Sequence, residues 1–316
     1  MSIRLGIIMD PIDKINPKKD TTLGMIVSAL KLGWEVSYIL QGNIYSADGV
    51  IRHISQTITK ASFDPADWYS LAEKTDTPLT ELDAVIMRVD PPFNMEYVYT
   101  TYMLEVAEKE GLLVVNRPQS LRDCNEKFFA THFPQCCPPL IVSSNPQLLR
   151  DFYERHSDIV VKPLDGMGGE AIFRVKPGDP NFSVILETLT QYGKTTIMAQ
   201  KFIPQISAGD KRILMVNGKP IPYGLARIPP EGETRGNLAA GGNGVAQALG
   251  ERDLWIANEI GPELVKRGLL FVGLDVIGDY LTEINVTSPT CAREIDAAYD
   301  TDITGLLMQA IAEQLA

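Results

Sequence analysis

Lys162 precedes a cluster of glycines, Gly166, Gly168 and Gly169, in the stretch IVVKPLDGMGGEAIFRV from Ile159 to Val175. Glycines let backbone amides approach a phosphate closely, and a nearby lysine supplies positive charge. Gly166, Gly168 and Ala171 also match the spacing of a dinucleotide-binding turn, but that turn must open a helix. Ala171 to Val175 is β-branched and aromatic, with Pro177 close behind, so a second strand is expected instead. The Walker A pattern is absent from the chain. The segment, with Met167 among its glycines, reads as a flexible cover over a phosphate. An ordinary glycine-rich hairpin is the alternative.

A second constellation is acidic. GLDVIGDYLTEINVTSPT, Gly273 to Thr290, carries Asp275, Glu283 and Asn285 on or beside two antiparallel strands. A turn made by Gly278-Asp279 alone would put Asp275 and Glu283 on opposite faces, because a one-residue slip inverts every side chain. A three-residue loop, Gly278-Asp279-Tyr280, makes them direct neighbours about 5 Å apart, with Asn285 on the same face. Two carboxylates at that distance repel by about 3 kcal/mol at an effective dielectric of about 20. A cation between them offsets this, and two carboxylates with an amide oxygen suit Mg²⁺, or Mn²⁺ in its place. Acids facing solvent on an ordinary hairpin are the alternative.

Between these two lies RIPPEGETRGNLAAGGNG, residues 227–244, with five glycines and no apolar period. A loop this long in a compact domain is functional or disordered. Arg227 and Arg235 can reach an anionic substrate from it, while the glycines let it close as a lid that excludes water.

The elements that position these groups follow from periodicity. Strand, helix and strand at Leu5 to Met9, Thr21 to Gly33 and Val36 to Leu40 predict a βαβ unit, repeated at Ala84 to Met87, Glu96 to Glu110 and Leu112 to Val115. Tyr45 to Pro78 between them reads as less regular, with a turn at Asp48-Gly49. A short helix is expected over Asn125 to Thr131, and Pro138-Pro139 marks a boundary. A small α+β unit follows, with helices over Gln147 to His156 and Asn181 to Thr190 and a strand over Thr196 to Gln200. Asn217-Gly218 signals a hairpin. A helix over Asp253 to Val265 is expected to break near Pro262, and a last helix spans Ile303 to Leu315.

Composition limits the function classes. The 316 residues, 45% hydrophobic and 22% charged, suffice for two or three compact units. A net charge of -11 argues against nucleic-acid or anionic-membrane partners, so a polyanionic ligand must meet local cations such as Lys127, Lys162, Arg212 and Arg293. The start, MSIRLGIIMD, has too short an apolar run for a signal peptide, and a cytoplasmic location is expected. Cys124, Cys136, Cys137 and Cys291 lack metal spacing and read as reduced thiols. His53, His132 and His156 show no catalytic constellation.

A strand lysine before a glycine cover, a separate Lys127 and a downstream Asp/Glu/Asn hairpin resemble the ATP-grasp superfamily. RDCNEK (Arg122 to Lys127), KPLDGMGG (Lys162 to Gly169), ETRGNLAAGG (Glu233 to Gly242) and TEINVTSPT (Thr282 to Thr290), with MDP at Met9 and DPPF at Asp90, resemble bacterial glutathione synthetase over the full chain. The resemblance implies an α/β ATP-grasp fold: a parallel βαβ domain over 1–122, a small lid subdomain over 123–202, and an antiparallel-sheet catalytic domain over 203–316. It implies ATP-dependent joining of γ-glutamylcysteine to glycine, by a homotetramer. Lys127, Lys162, Gly166, Met167, Gly168 and Gly169 would contact the ATP phosphates. Gln200, Lys201 and Ile203 would line the adenine and Asp210 the ribose. Arg212 would face the phosphates or the acyl group, with Lys162, Arg212 and Arg227 catalytic. Arg227, Arg235, Gly241, Ser288 and Arg293 would handle substrate, and Asp275, Glu283 and Asn285 would hold Mg²⁺. Other readings are a different ATP-grasp carboxylate-amine ligase, a nucleotide-binding protein without turnover, or a dinucleotide dehydrogenase.

Overall fold

The computed structural model describes residues 2–233, 235, 236, 238 and 241–316. The chain opens with β1 (Arg4–Ile8), α1 (Thr21–Lys31) and β2 (Glu35–Ala47). Asp20 caps α1 by accepting a hydrogen bond from the Leu23 amide at 2.7 Å, and Gly33, at φ +75°, ends it. β2 turns at Asp48-Gly49 into β3 (Val50–Ala61) and β4 (Tyr69–Pro78), and β5 (Ala84–Met87), α2 (Met95–Lys109) and β6 (Leu113–Val115) follow. The six strands form one sheet in the order β4-β3-β2-β1-β5-β6. β1 pairs in parallel with β2 and β5, and β5 with β6, while β3 and β4 extend the sheet antiparallel. Tyr45 to Pro78, expected to be less regular, is therefore two long strands and the end of a third. Their signal is weak because β3 buries the polar His53 and Ser55, while β4 is a charged edge strand, YSLAEKTDTP, of the kind that deters edge-to-edge pairing.

After α3 (Pro118–Asp123), the helix expected over Asn125 to Thr131 is only a 3-10 turn at Phe129–His132. Asn125 caps the turn of residues 126–128 just before it, its side chain accepting from the Phe128 amide, and so spends the residues that would have been the helix's first turn. β7 (Leu140–Ser143), α4 (Pro146–His156), β8 (Ile159–Pro163), β9 (Phe173–Val175), α5 (Phe182–Thr190) and β10 (Ile197–Lys201) build a four-stranded antiparallel sheet, β7-β10-β8-β9. β8 and β9 flank the glycine cluster, with Val161 opposite Phe173. The glycines run from strand to strand, not into a helix.

The last third contains β11 (Asp210–Val216), β12 (Lys219–Ile228), β13 (Asn243–Ala248), α6 (Glu251–Lys266), β14 (Phe271–Ile277), β15 (Tyr280–Asn285), α7 (Ala292–Tyr299) and α8 (Ile303–Leu315). The strands form a five-stranded antiparallel sheet, β13-β12-β11-β14-β15. α6 runs unbroken through Pro262, contrary to expectation. Ile256, Ala257, Ile260 and Leu264 bury one face of it completely, and that burial outweighs the roughly 3 kcal/mol a helix-interior proline costs.

Two large cores each mix residues of the six-stranded and five-stranded sheets: Ile8 and Val85 with Ile213 and Leu274 in one, Leu5 and Ile86 with Leu214 and Phe271 in the other. Asn116 fastens the two sheets. Its side-chain amide donates to the Phe271 and Val286 carbonyls at 2.8 Å each and accepts from the Phe271 amide at 3.0 Å. The small sheet has a core of its own around Leu149, Phe152, Val161 and Leu186.

Candidate active site

Strand pairing writes a row of charge across one face of the five-stranded sheet. Asp210 and Arg212 lie two residues apart on β11, so both point the same way. Asp210 sits opposite Arg227 of β12, Arg212 opposite Asp275 of β14, and Asp275 opposite Glu283 of β15. The side chains meet accordingly. Arg212 grips Asp275 through Nε at 2.6 Å and Nη2 at 3.0 Å, while Arg227 Nη2 reaches Asp210 at 2.5 Å and Asp275 at 2.9 Å. Asn285 donates to the same Asp275 carboxylate at 3.1 Å.

Asp275 and Glu283 are direct partners, as expected, but not by the expected turn. Gly278-Asp279 makes a two-residue turn, with Ile277 opposite Tyr280 and Val276 opposite Leu281. Thr282 then bulges out of register, and Glu283 rather than Thr282 becomes the partner of Asp275. A single inserted residue in β15 does what a longer loop was expected to do.

The small sheet faces this row across a cleft lined by residues of both sheets. Val160 and Lys162 of β8 and Gln200 of β10 line it by strand alternation, with Lys201 at the end of β10 and Ile203 beyond it. Gly166, Met167, Gly168 and Gly169 close one side, and Asp210, Arg235 and Glu283 complete the expected set of lining residues. Gly168 and Gly169 have φ of +61° and +84°, which a side chain would strain. Lys127 hydrogen-bonds the Gly166 carbonyl and lies 3.9 Å from Glu283, while Lys162 lies 3.4 Å from the same carboxylate oxygen. Four cations thus face three carboxylates in a protein of charge -11, which is the local concentration of positive charge a polyanion needs.

Electrostatics separates the two buried aspartates. Burial alone would raise Asp275, but Arg212 and Arg227 more than offset it and hold its carboxyl well below the usual range. Burial pushes Asp210 up, opposed by Arg227 and reinforced by Asp275 and Glu283. One carboxylate oxygen of Asp210, a residue of the cleft wall, is buried without a hydrogen-bond partner.

Other expected residues fall elsewhere. Arg212, Arg227, Asp275 and Asn285 lie behind the cleft wall. Ser288 donates to the Arg88 carbonyl at 3.3 Å, and Arg293 stacks on Phe63 beside α1. Gly241, at φ +92°, donates its amide to the Leu238 carbonyl at 3.2 Å and is absent from the residues lining the cleft. Of the expected lid, Thr234, Asn237, Ala239 and Ala240 lie outside the described residues. Gly236 packs so tightly that a Cβ there would sit 2.2 Å from the Arg227 carbonyl.

The sequence reading missed Val160, Ile206 and Ile277, which give the cleft its apolar wall. Counting by two from Lys162 and from Asp275 identifies the first and the last. It also missed Arg88 and Glu126. The Glu126 carboxylate is satisfied by Val286 and by both the amide and hydroxyl of Thr287, and so anchors the segment that follows Glu283 and Asn285.

Among the described residues no group of three or more His, Cys, Asp or Glu gathers as a metal site by itself. Asp275, Glu283 and Asn285 nevertheless carry oxygen donors of the kind Mg²⁺ takes; of the three only Glu283 lines the cleft, while Arg212, Arg227 and Asn285 hold the Asp275 oxygens.

The family described as prokaryotic glutathione synthetase, N-terminal domain, matches residues 3–122, and its ATP-grasp domain matches residues 126–300. The chain is similar to the glutathione synthetase of Pseudomonas aeruginosa, 63% identical with 100% of this chain and 99% of the relative covered. It is 61% identical to that of Pseudomonas putida, over 100% of this chain and 99% of the relative. Among solved structures, the D-cycloserine synthetase DcsG superposes with a TM-score of 0.69 at 14% identity, covering 99% of this chain and 100% of that one, a likeness of fold.

Proposed function

The chain belongs to the prokaryotic glutathione synthetase family, and from that premise we propose that it joins γ-glutamylcysteine to glycine, with release of ADP and phosphate. It is an ATP-dependent ligase with an ATP-grasp fold. The observation that carries the reading is the cleft in which Lys127, Lys162 and the glycine loop face Glu283, backed by the Arg-Asp row.

In the proposed reaction the cysteinyl carboxylate of the dipeptide attacks the γ-phosphorus of ATP, ADP leaves, and an acyl phosphate forms. Glycine's amine then attacks the acyl carbon and phosphate departs. Lys127 and Lys162 hold the phosphates, and the amides of residues 166–169 cover them, so that charge is stabilised by positioned groups in a site that excludes water. Gln200, Lys201 and Ile203 receive the adenine, and the unpartnered Asp210 oxygen accepts a ribose hydroxyl. Arg212 and Arg227 fix the face on which transfer occurs, while Arg235, Gly241 and Ser288 serve the substrates. Mg²⁺, with Mn²⁺ as a substitute, held by Asp275, Glu283 and Asn285, would neutralise charge on the transferring phosphate. Residues 1–122 form the substrate side, 123–202 the nucleotide lid and 203–316 the catalytic domain of a cytoplasmic homotetramer.

Phosphate release measured with γ-glutamylcysteine and a panel of amino acids tests this. Glycine is expected to stimulate release most strongly; no stimulation by glycine would remove the assignment of substrates and leave the ligase. Glu283→Gln is expected to lower kcat by about 100-fold or more while shifting the Kd for ATP only a few-fold.

A further inference from the structure

A second cavity, of about 210 Å³, meets the nucleotide cleft at Lys127, Gly166 and Met167, which line both. Its apolar wall is Pro91 and Phe93 from the loop between β5 and α2, Leu121 of α3 with Cys124 just after it, and Leu164 ahead of the glycines. The charged groups at its edge are already engaged: Arg122 with Glu105 and with Thr101 at 3.1 Å, Glu126 with Val286 and Thr287, and Asp165 with Asn125 at 3.3 Å. The space between them suits an apolar occupant, and an apolar cavity of about 150 Å³ is enough to take up benzene. The glycine loop carries such an occupant at its tip. In DGMGG, residues 165–169, Met167 is the single apolar side chain, and it is 45% exposed. The arm before it is anchored: Asn125 donates to the Leu164 carbonyl at 3.3 Å, and Lys127 donates to that carbonyl at 3.4 Å and to the Gly166 carbonyl. The arm after it is two glycines in the left-handed region, and the Glu170 amide donates back to the Met167 carbonyl at 3.0 Å. Torsions at those glycines can therefore move Met167 while the anchored arm stays in place. A triphosphate beside Lys127 and Lys162 makes the cleft side of the loop ionic, and the cavity is then the dry side for a thioether.

We propose that Met167 is a positioning residue: as nucleotide binds, its side chain seats among Phe93, Leu121 and Cys124 and latches the glycine loop to the part of the chain that precedes residue 125. The proposal deepens the reaction given above and rests on its acyl-phosphate step. With Met167 seated, the loop stays closed over the phosphates and water is kept from the intermediate. With Met167 unseated, water takes the place of the amine. The acyl phosphate then returns to the free carboxylate of the dipeptide and inorganic phosphate, and ATP is spent without a new peptide bond.

Met167→Ala, Met167→Gln and Met167→Leu, at an exposed position where folding is not at stake, test this in two measurements. The first is the release rate of a fluorescent ADP derivative with no other substrate present, which does not depend on which acid and amine are joined. Met167→Ala and Met167→Gln are expected to speed release about tenfold, and Met167→Leu, which can still seat, by less than about threefold. The second is ADP formed per peptide formed with γ-glutamylcysteine and glycine. That ratio is expected to rise about twofold or more in Met167→Ala and Met167→Gln and to return toward the unaltered value in Met167→Leu. Phe93→Ala should speed release in the same way, and Met167→Ala added to it should do no further harm. If Phe93→Ala fails to fold, the contrast between Met167→Gln and Met167→Leu decides. Equal release from all three Met167 variants, or losses at positions 167 and 93 that multiply, would overturn the latch. An unaltered enzyme that forms no peptide from γ-glutamylcysteine and glycine overturns that choice of substrates, and the release rates still decide the latch.

Discussion

Asp275 is the residue on which the charged row converges, since two arginines and an amide all point at one carboxylate. Its folded pKa lies below the ordinary value, so its contribution to stability is present above about pH 4 and is lost as pH falls further. Asp275→Ala leaves two buried guanidinium groups short of an anion and is expected to cost about 3–5 kcal/mol at neutral pH, with a shallower decline in acid, read from urea midpoints across pH. The cysteines behave oppositely. Burial pushes Cys137 up to about 12 and Cys124 to about 11, and it raises Cys136 and Cys291 as well. Because the thiolate is the reactive form, iodoacetamide at pH 8 is expected to label the folded protein far more slowly than the protein in urea. Rapid labelling of the native chain would contradict that burial.

At the level of elements, the Thr282 bulge decides which face Glu283 occupies. Removing Thr282 leaves Glu283 opposite Asp275 in a straight strand, and turnover is expected to stay within about tenfold of the unaltered enzyme. Adding one alanine after Thr282 moves Glu283 to the core face, and kcat/KM should fall by about 100- to 1000-fold. The same bulge marks the limit of what the sequence reveals. Alternation around Glu283 and Asn285 exposed the face they share with Asp275, yet a bulge has no composition signal that separates it from a longer loop. The strand-glycine-strand segment was legible because Ala171 to Val175 has no helical period, and the terminal helix because its apolar spacing is regular. Arg88 was not legible: a lone arginine after an apolar strand announces nothing until α1 and the Pro289 carbonyl are folded against it. α7, Ala292–Tyr299, was missed because its eight residues follow a cysteine in the left-handed region at φ +85°, with no side-chain cap.

On the scale of the whole molecule, the six-stranded and five-stranded sheets are one body with two mixed cores, fastened by Asn116. The family's N-terminal match, 3–122, is therefore a unit of sequence more than of folding. Residues 1–122 expressed alone are expected to show no cooperative thermal transition, since the cores that hold Leu5, Ile8 and Val85 draw many of their buried apolar residues from beyond residue 200. Calorimetry of the fragment checks this. The small sheet differs, for the residues of its core all come from its own elements, and a hydrogen bond from the Lys201 amide to the Pro139 carbonyl, at 2.9 Å, ties its two ends together. How readily this flap swings is consequently set by a few junction residues, while resistance to heat resides in the mixed cores. Speed and durability can thus be inherited, or engineered, as separate traits of a single chain.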